Sequence, residues 1–127
     1  MKKILILDDE KIISSSLERV LSKNGFAVSS FNNGIQAIQK IQAEADANNF
    51  FDLAFVDLLM PELSGGDVLD FLKKTSANTQ VVMMTAYGDL NVREDLLRRG
   101  AAQVLAKPFD DIFQIPELAK KVLAAKK

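Results

Sequence analysis

The sequence predicts an α/β domain built on an open parallel β-sheet with helices on both faces. Three observations lead there. The stretches "ILIL" (4–7), "LAFV" (53–56) and "VVMM" (81–84) are apolar without interruption, as strands buried on both faces are. Between them apolar residues recur at helical spacing, so strands alternate with helices. The chain has 127 residues, 48% hydrophobic and 26% charged, which suits a globular protein with one sizeable core. No repeat, low-complexity tract or linker divides it, so a single domain over residues 1–127 is expected.

The elements follow in order. "KILILDD" is the first strand. From Glu10 to Asn24, Ile13, Leu17, Val20 and Leu21 fall on one helical face, and Asn24-Gly25 supplies the stop. "FAVSSF" is a shorter, more polar strand, suited to a sheet edge. "NGIQAIQKIQAEADA" predicts a helix that buries Ile35, Ile38 and Ile41, followed by a polar loop through Asn48 and Asn49. "LAFVD" is the third strand, and the helix after Gly65-Gly66 carries Val68, Leu69 and Leu72 inward. "QVVMMTA" is the fourth strand, with Met83 and Met84 in the core; a helix from about Asp89 to Arg99 follows and stops at Gly100. "AAQVLAKP" is the last strand. The final helix is expected to start near Pro116, a residue suited to a first helical position, with Leu118, Val122 and Leu123 facing inward.

In open parallel sheets, ligands bind beyond the carboxyl ends of the strands, so the strand endings are the place to look for chemistry. The first strand ends in Asp8, Asp9 and Glu10, the third in Asp57, the fourth in Thr85-Ala86 and the fifth in Lys107-Pro108. The second ends in Phe31-Asn32 and offers no ionisable group. One edge therefore collects three or four carboxylates, a hydroxyl and an ammonium. Asp57 is the most demanding of them. It stands inside the apolar run "DLAFVDLLMPEL", which Pro61 breaks, and stays ionised there only if a metal, a cation or several donors compensate.

Composition restricts what that edge can do. With no cysteine there is no thiolate nucleophile, disulfide framework or cysteine-ligated metal, and with no histidine the commonest general base is missing. Chemistry must run on oxygen and amine groups, with a hard metal such as magnesium. A net charge of −1 gives no global nucleic-acid-binding face. The start, "MKKILILDDE", has too short an apolar run for a signal-peptide core or a membrane span, so a cytoplasmic location without membrane association is expected.

Converging carboxylates repel one another unless a cation lies between them. Magnesium takes one or two carboxylates, keeps some waters and shares its octahedron with phosphate oxygens. Lys107 adds a charge that can hold Asp57 ionised or neutralise an incoming phosphoryl group, and Thr85 can donate to a phosphoryl oxygen. Asp57 is then a carboxylate nucleophile able to form an aspartyl phosphate. Taken singly, Asp8-Asp9 would serve as a helix cap, Lys107 as a solvated strand exit and Thr85 as a partner for its own backbone. Their joint occurrence along one edge is what points to a site.

The motifs "ILILDDE", "FVDLLMPELSGGDVL", "VVMMTAYGD" and "LAKPF" together make the chain resemble, over essentially its whole length, the receiver domain of two-component response regulators. The resemblance implies a flavodoxin-like (βα)5 doubly wound sheet with strand order 2-1-3-4-5. It implies that Asp57 is the phosphoacceptor. Asp9, Asp57 and the backbone carbonyl of Leu59 would ligate Mg2+ (Mn2+ as a substitute), with Asp8 acting largely through water. Thr85 would be the switch hydroxyl and Ala86 its small neighbour. Lys107 would pair with Asp57 before transfer and with the phosphoryl group after it, and the bond into Pro108 would be cis. The donor would be a phosphohistidine on a partner sensor histidine kinase or phosphotransfer protein, since this chain has no histidine of its own. The kinase helices would meet the surface around Ile12, on the outer face of the first helix, and the Pro108-Phe109 loop. Leu59 and Tyr87, flanking the line of attack by water, carry no group suited to orienting it, which implies a long-lived phosphoprotein.

The implied role is a signalling domain that acts by phosphorylation-dependent contact with a downstream protein or as a phosphorylation-dependent homodimer. It would be an enzyme at most in its own phosphorylation and dephosphorylation. Two positions depart from the family pattern. Val104 stands three residues before Lys107, where Tyr or Phe is usual, and in "DDIFQIPEL" Pro116 stands where such helices normally continue. The final helix is therefore expected to begin late, and the output face formed by the last two helices and the last strand to be reshaped. No output domain is expected in the chain, which leaves a stand-alone receiver and an excised module both open. A phosphatase of the haloacid-dehalogenase type would need a second Asp where Leu59 stands, and a flavin or nucleotide protein would need a glycine- or hydroxyl-rich loop in place of "DDEK". A degenerate receiver with a purely structural role would not need the complete acidic set.

Overall fold

The computed structural model describes residues 1–60, 62–86 and 90–125. Five strands alternate with five helices: β1 (Lys3–Leu7), α1 (Lys11–Lys23), β2 (Ala27–Phe31), α2 (Gly34–Asp46), β3 (Leu53–Asp57), α3 (Gly65–Thr75), β4 (Gln80–Thr85), α4 (Leu90–Arg98), β5 (Gln103–Ala106) and α5 (Ile115–Ala125). Pro61, Tyr87 and Asp89, marked in the sequence as a break, a site flank and a helix start, lie outside the described residues.

The sheet is parallel throughout, in the order β2-β1-β3-β4-β5. A doubly wound sheet of this kind makes sense of the apolar runs, because successive side chains point to opposite faces and both faces are covered. Leu5, Leu7, Ala54, Val56, Val81 and Met83 pack on one face against Ala37 and Ile41 of α2 and Val68, Leu69 and Leu72 of α3. Their neighbours Ile4, Ile6, Leu53, Phe55, Val82 and Met84 pack on the other, against Leu17 and Leu21 of α1 and Ile115, Ala119 and Val122 of α5. β2, at the edge, has no fully buried residue, in keeping with its polar sequence. Among the described residues, no helix is long and apolar enough to cross a membrane.

Helix α2 differs from expectation in its phase. In α2, Ile35 is 46% exposed and the buried positions are Gly34, Ala37 and Ile41, with Ile38 half-buried. The reason is the helix start: the Asn33 side chain accepts hydrogen bonds from the amides of Ile35 and Gln36, which sets the phase and turns the first isoleucine outward. The final helix starts at Ile115, near Pro116 as expected; a 3₁₀ turn, Ile112–Gln114, capped by Asp111, precedes it, and Pro116 falls one residue inside α5, where its missing N–H costs no hydrogen bond. Val122 is buried and Leu118 and Leu123, half-buried, pack against the same core, as expected, with Ile115 and Ala119 completing the buried face.

α3 starts at Gly65 itself, not after the glycine pair, behind a capping box formed by Ser64 and Asp67. The Gly65 amide donates to the Leu58 carbonyl at 2.9 Å, and a Cβ placed on Gly65 would lie 2.0 Å from the Asp57 carbonyl oxygen. Only glycine allows the helix to start this close to the strand end that carries Asp57. Gly65→Ala is therefore expected to destabilise the fold by about 1–3 kcal/mol. Denaturant unfolding checks this, and an unchanged midpoint would show that the loop yields without cost.

Candidate functional site

The register aligns the strand endings. Leu7 pairs with Phe31 and Val56, Asp57 with Met84, and Thr85 with Ala106, so Asp8, Asp57, Thr85 and Lys107 all emerge at one edge of the sheet. Asp8 is fully buried, Asp57 is 5% exposed and Thr85 is buried, while Asp9 reaches solvent. The carboxylate oxygens of Asp8, Asp9 and Asp57 lie within 4.8 Å of one another. Asp9, Glu10, Asp57, Leu59, Ala86 and Lys107 line a cleft of about 250 Å³ above them.

Asp8 does not cap α1. Its Oδ1 accepts from the amide of Glu10 at 2.8 Å, and Glu10, at the N-cap position, makes no side-chain cap bond either. Among the described residues, Lys107 supplies the one ammonium in contact with these carboxylates. Its Nζ donates to Asp8 Oδ2 at 2.9 Å and to Glu10 Oε1 at 2.5 Å, and reaches Asp57 Oδ2 at 3.4 Å. The expected Lys107–Asp57 pair is therefore the longest of three contacts, because a fully buried Asp8 has the stronger need for a cation and Glu10 stands closest to the ammonium. The Lys107 amide donates to the Thr85 carbonyl at 3.0 Å, and the Lys107-Pro108 bond is cis.

The charges are out of balance. Burial pushes the Asp57 carboxyl up to about 6, the negative charges of Asp8 and Asp9 push the same way, and Lys107 only partly offsets them. Burial works against the Lys107 ammonium, but its hydrogen bonds to Glu10 and Asp8 and the nearby Asp57 charge outweigh it and hold its pKa above the ordinary lysine range. Hard carboxylate oxygens, close together and short of positive charge, are a donor set that fits magnesium.

The sequence reading brought Asp8, Asp9, Asp57, Thr85 and Lys107 to one edge, and the structure places them there. Leu59 stands half-exposed on the rim of the cleft, and Tyr87 lies outside the described residues. Glu10 was counted among the edge carboxylates without a role. Its position directly after Asp8-Asp9, with no capping duty, was the available signal.

The strand order and the acidic cleft at its carboxyl edge define the CheY-like flavodoxin fold class. More particularly, the chain belongs to the response regulator receiver domain family, whose sequence model matches residues 4–120. Members of this family are phosphorylated on an aspartate in two-component systems, and they bind Mg2+. The chain is 35% identical over 125 residues to the sporulation initiation phosphotransferase F of Bacillus subtilis, covering 98% of this chain and 96% of that protein. It is 37% identical to a transcriptional regulatory protein CpxR homolog of Haemophilus influenzae, covering 87% of this chain and 46% of that protein, so it spans about half the length of that longer relative. A solved CheY-like response regulator receiver domain protein from Methanospirillum hungatei JF-1 superposes with a TM-score of 0.88 at 28% identity, covering 99% of this chain and 96% of that one.

The imbalance at Asp57 has a measurable consequence. A carboxyl near 6, against an ordinary 3.8, binds its proton more tightly folded than unfolded. Its ionisation therefore lowers the stability of the metal-free protein as pH rises from about 4 to about 6. Asp57→Asn should raise the metal-free Tm at pH 7 by a few degrees. The gap between variant and wild type should open across that window and stay level above it. A gap independent of pH between 4 and 8 would sink this account.

Proposed function

We propose that Asp57 is the phosphoacceptor of this receiver domain, phosphorylated in a magnesium-dependent reaction by a histidine kinase or phosphotransfer protein in the cytoplasm, and that the phosphorylated chain signals by protein–protein contact. The observation that carries the proposal is the buried Asp57 carboxylate, which lines a cleft together with Asp9, Glu10 and the Lys107 ammonium. Asp57 supplies the attacking oxygen. The phosphorus–nitrogen bond of a phosphohistidine, or the phosphorus–oxygen bond of acetyl phosphate, breaks as the new phosphorus–oxygen bond forms. Lys107, already within reach of Asp57, meets the charge of the incoming group, and Thr85 at the end of β4 offers a hydroxyl. Asp9, Asp57 and the carbonyl of Leu59 would hold magnesium, with Asp8 acting through water, and the ion supplies the positive charge that the cluster lacks. No second acid/base stands beside Asp57 at Leu59, which supports a signalling domain over a turnover phosphatase.

Incubation with acetyl phosphate and magnesium is expected to add one phosphoryl group, detected by mass spectrometry. The label should be absent without magnesium, absent in Asp57→Asn, and lost slowly after donor removal, since the apolar Leu59 orients no water. Undiminished labelling of Asp57→Asn would overturn the assignment.

The partner surface makes a separate claim. Ile12, on the outer side of α1 just beyond the acidic cluster, is 81% exposed. Ile12→Glu is expected to slow transfer from the cognate kinase about tenfold or more, the loss of a central apolar contact, while acetyl phosphate labels it at the wild-type rate. Equal losses with both donors would mean that the site itself is damaged.

A further inference from the structure

We propose that Glu10 is a positioning residue that holds Lys107 in the resting protein and has to release it when Asp57 is phosphorylated. The inference rests on the reading of Asp57 as phosphoacceptor. An ammonium has three hydrogens, and Lys107 spends them on Glu10, Asp8 and Asp57, with Glu10 nearest at 2.5 Å and Asp57 farthest at 3.4 Å. The first two acceptors differ in what losing the ammonium would cost them. Asp8 is fully buried, so it keeps its cation or stands uncompensated. The Glu10 side chain is 61% exposed, and water can replace its partner.

Glu10 is also fixed in place. Its amide is tied to Asp8 Oδ1, and it occupies the N-cap position of α1 without using its side chain as a cap. Its carboxylate therefore has no capping duty and competes with Asp57 for Lys107. A phosphoryl group on Asp57 brings roughly 1.5–2 negative charges to the position where Lys107 now makes its longest contact. The ammonium then has a stronger acceptor there, and the Glu10 contact is the one that opens most readily. Any movement of Lys107 from Glu10 toward the phosphoryl group opens that contact, so the contact slows labelling and favours the unphosphorylated protein.

The effect expected of an exposed ion pair is about two- to fivefold in rate. The test compares wild type, Glu10→Ala and Glu10→Asp for the rate of labelling by acetyl phosphate and magnesium, with thermal unfolding of each in parallel. Aspartate keeps the charge but is one methylene too short to reach Lys107. If Glu10 acts by holding the lysine, both variants label about two- to fivefold faster than wild type. Acceleration in Glu10→Ala alone would show that net charge, not tethering, is responsible and would overturn the proposal, as would wild-type or slower rates in both. Should Glu10→Ala fail to fold, Glu10→Asp decides the matter by itself. A folded wild type that takes no label would instead overturn the phosphoacceptor reading, which the Asp57→Asn control tests independently.

Discussion

Two buried carboxylates sharing one ammonium is the constraint on which the rest of this structure depends. Asp8 and Asp57 are both removed from water, and Lys107 must serve the two of them and Glu10 as well. A single positive charge cannot compensate three negative ones in a partly desolvated site, and burial of Asp57, reinforced by the neighbouring Asp8 charge, raises its carboxyl despite Lys107. The cleft is therefore ready for added positive charge, and for a group that brings a cation with it. The same shortage that lowers the stability of the metal-free fold makes the site able to bind.

The sheet brings this about with few degrees of freedom. Parallel strands put every carboxyl end on one side, and the 2-1-3-4-5 order sets β1 beside β3, so Asp8 and Asp57 become neighbours although 49 positions separate them in sequence. Tight backbone closure then holds Asp57 in place. Leu58 N donates to the Met84 carbonyl, Gly65 N to the Leu58 carbonyl, and the Cα of Gly65 packs on the Asp57 carbonyl. Site geometry is thus set by main-chain hydrogen bonds and close packing, which leaves the side chains of the cleft free to exchange partners.

That division explains what was legible in the sequence. Strand cores are continuous apolar runs, and their endings carry the only unusual chemistry in the chain, so the fold class and the set Asp8, Asp9, Asp57, Thr85 and Lys107 could be read directly. What could not be read depends on tertiary competition. Ile35 and Ala37 both lie on plausible helical faces, and the Asn33 cap decides between them. Lys107 has several acceptors within reach, and only their relative burial and distance rank Asp8 and Glu10 ahead of Asp57. The start of α5 depends on a 3₁₀ turn whose cap, Asp111, has another aspartate directly before it in sequence.

The substitution of Val104 for an aromatic residue can be placed in the same physical frame. Val104 is buried in the core, and its carbonyl accepts a hydrogen bond from the guanidinium of Arg93 on α4 at 2.9 Å. Just past the other end of that helix, Arg99 reaches α3, donating to the Gly66 carbonyl at 2.9 Å and to Asp70, while pairing with Asp95 on α4 itself. Guanidinium groups thus tie α4 to β5 on one side and to the start of α3 on the other. The planar fork of arginine holds such contacts with defined geometry. Gly66 adjoins Gly65, which packs on the Asp57 carbonyl, and Val104 lies three residues before Lys107. A buried valine has no polar tip to swing between core and solvent; among the described residues, backbone carbonyls held by Arg93 and Arg99 are polar ties that join α4 to the strand and helix beside the acidic cleft.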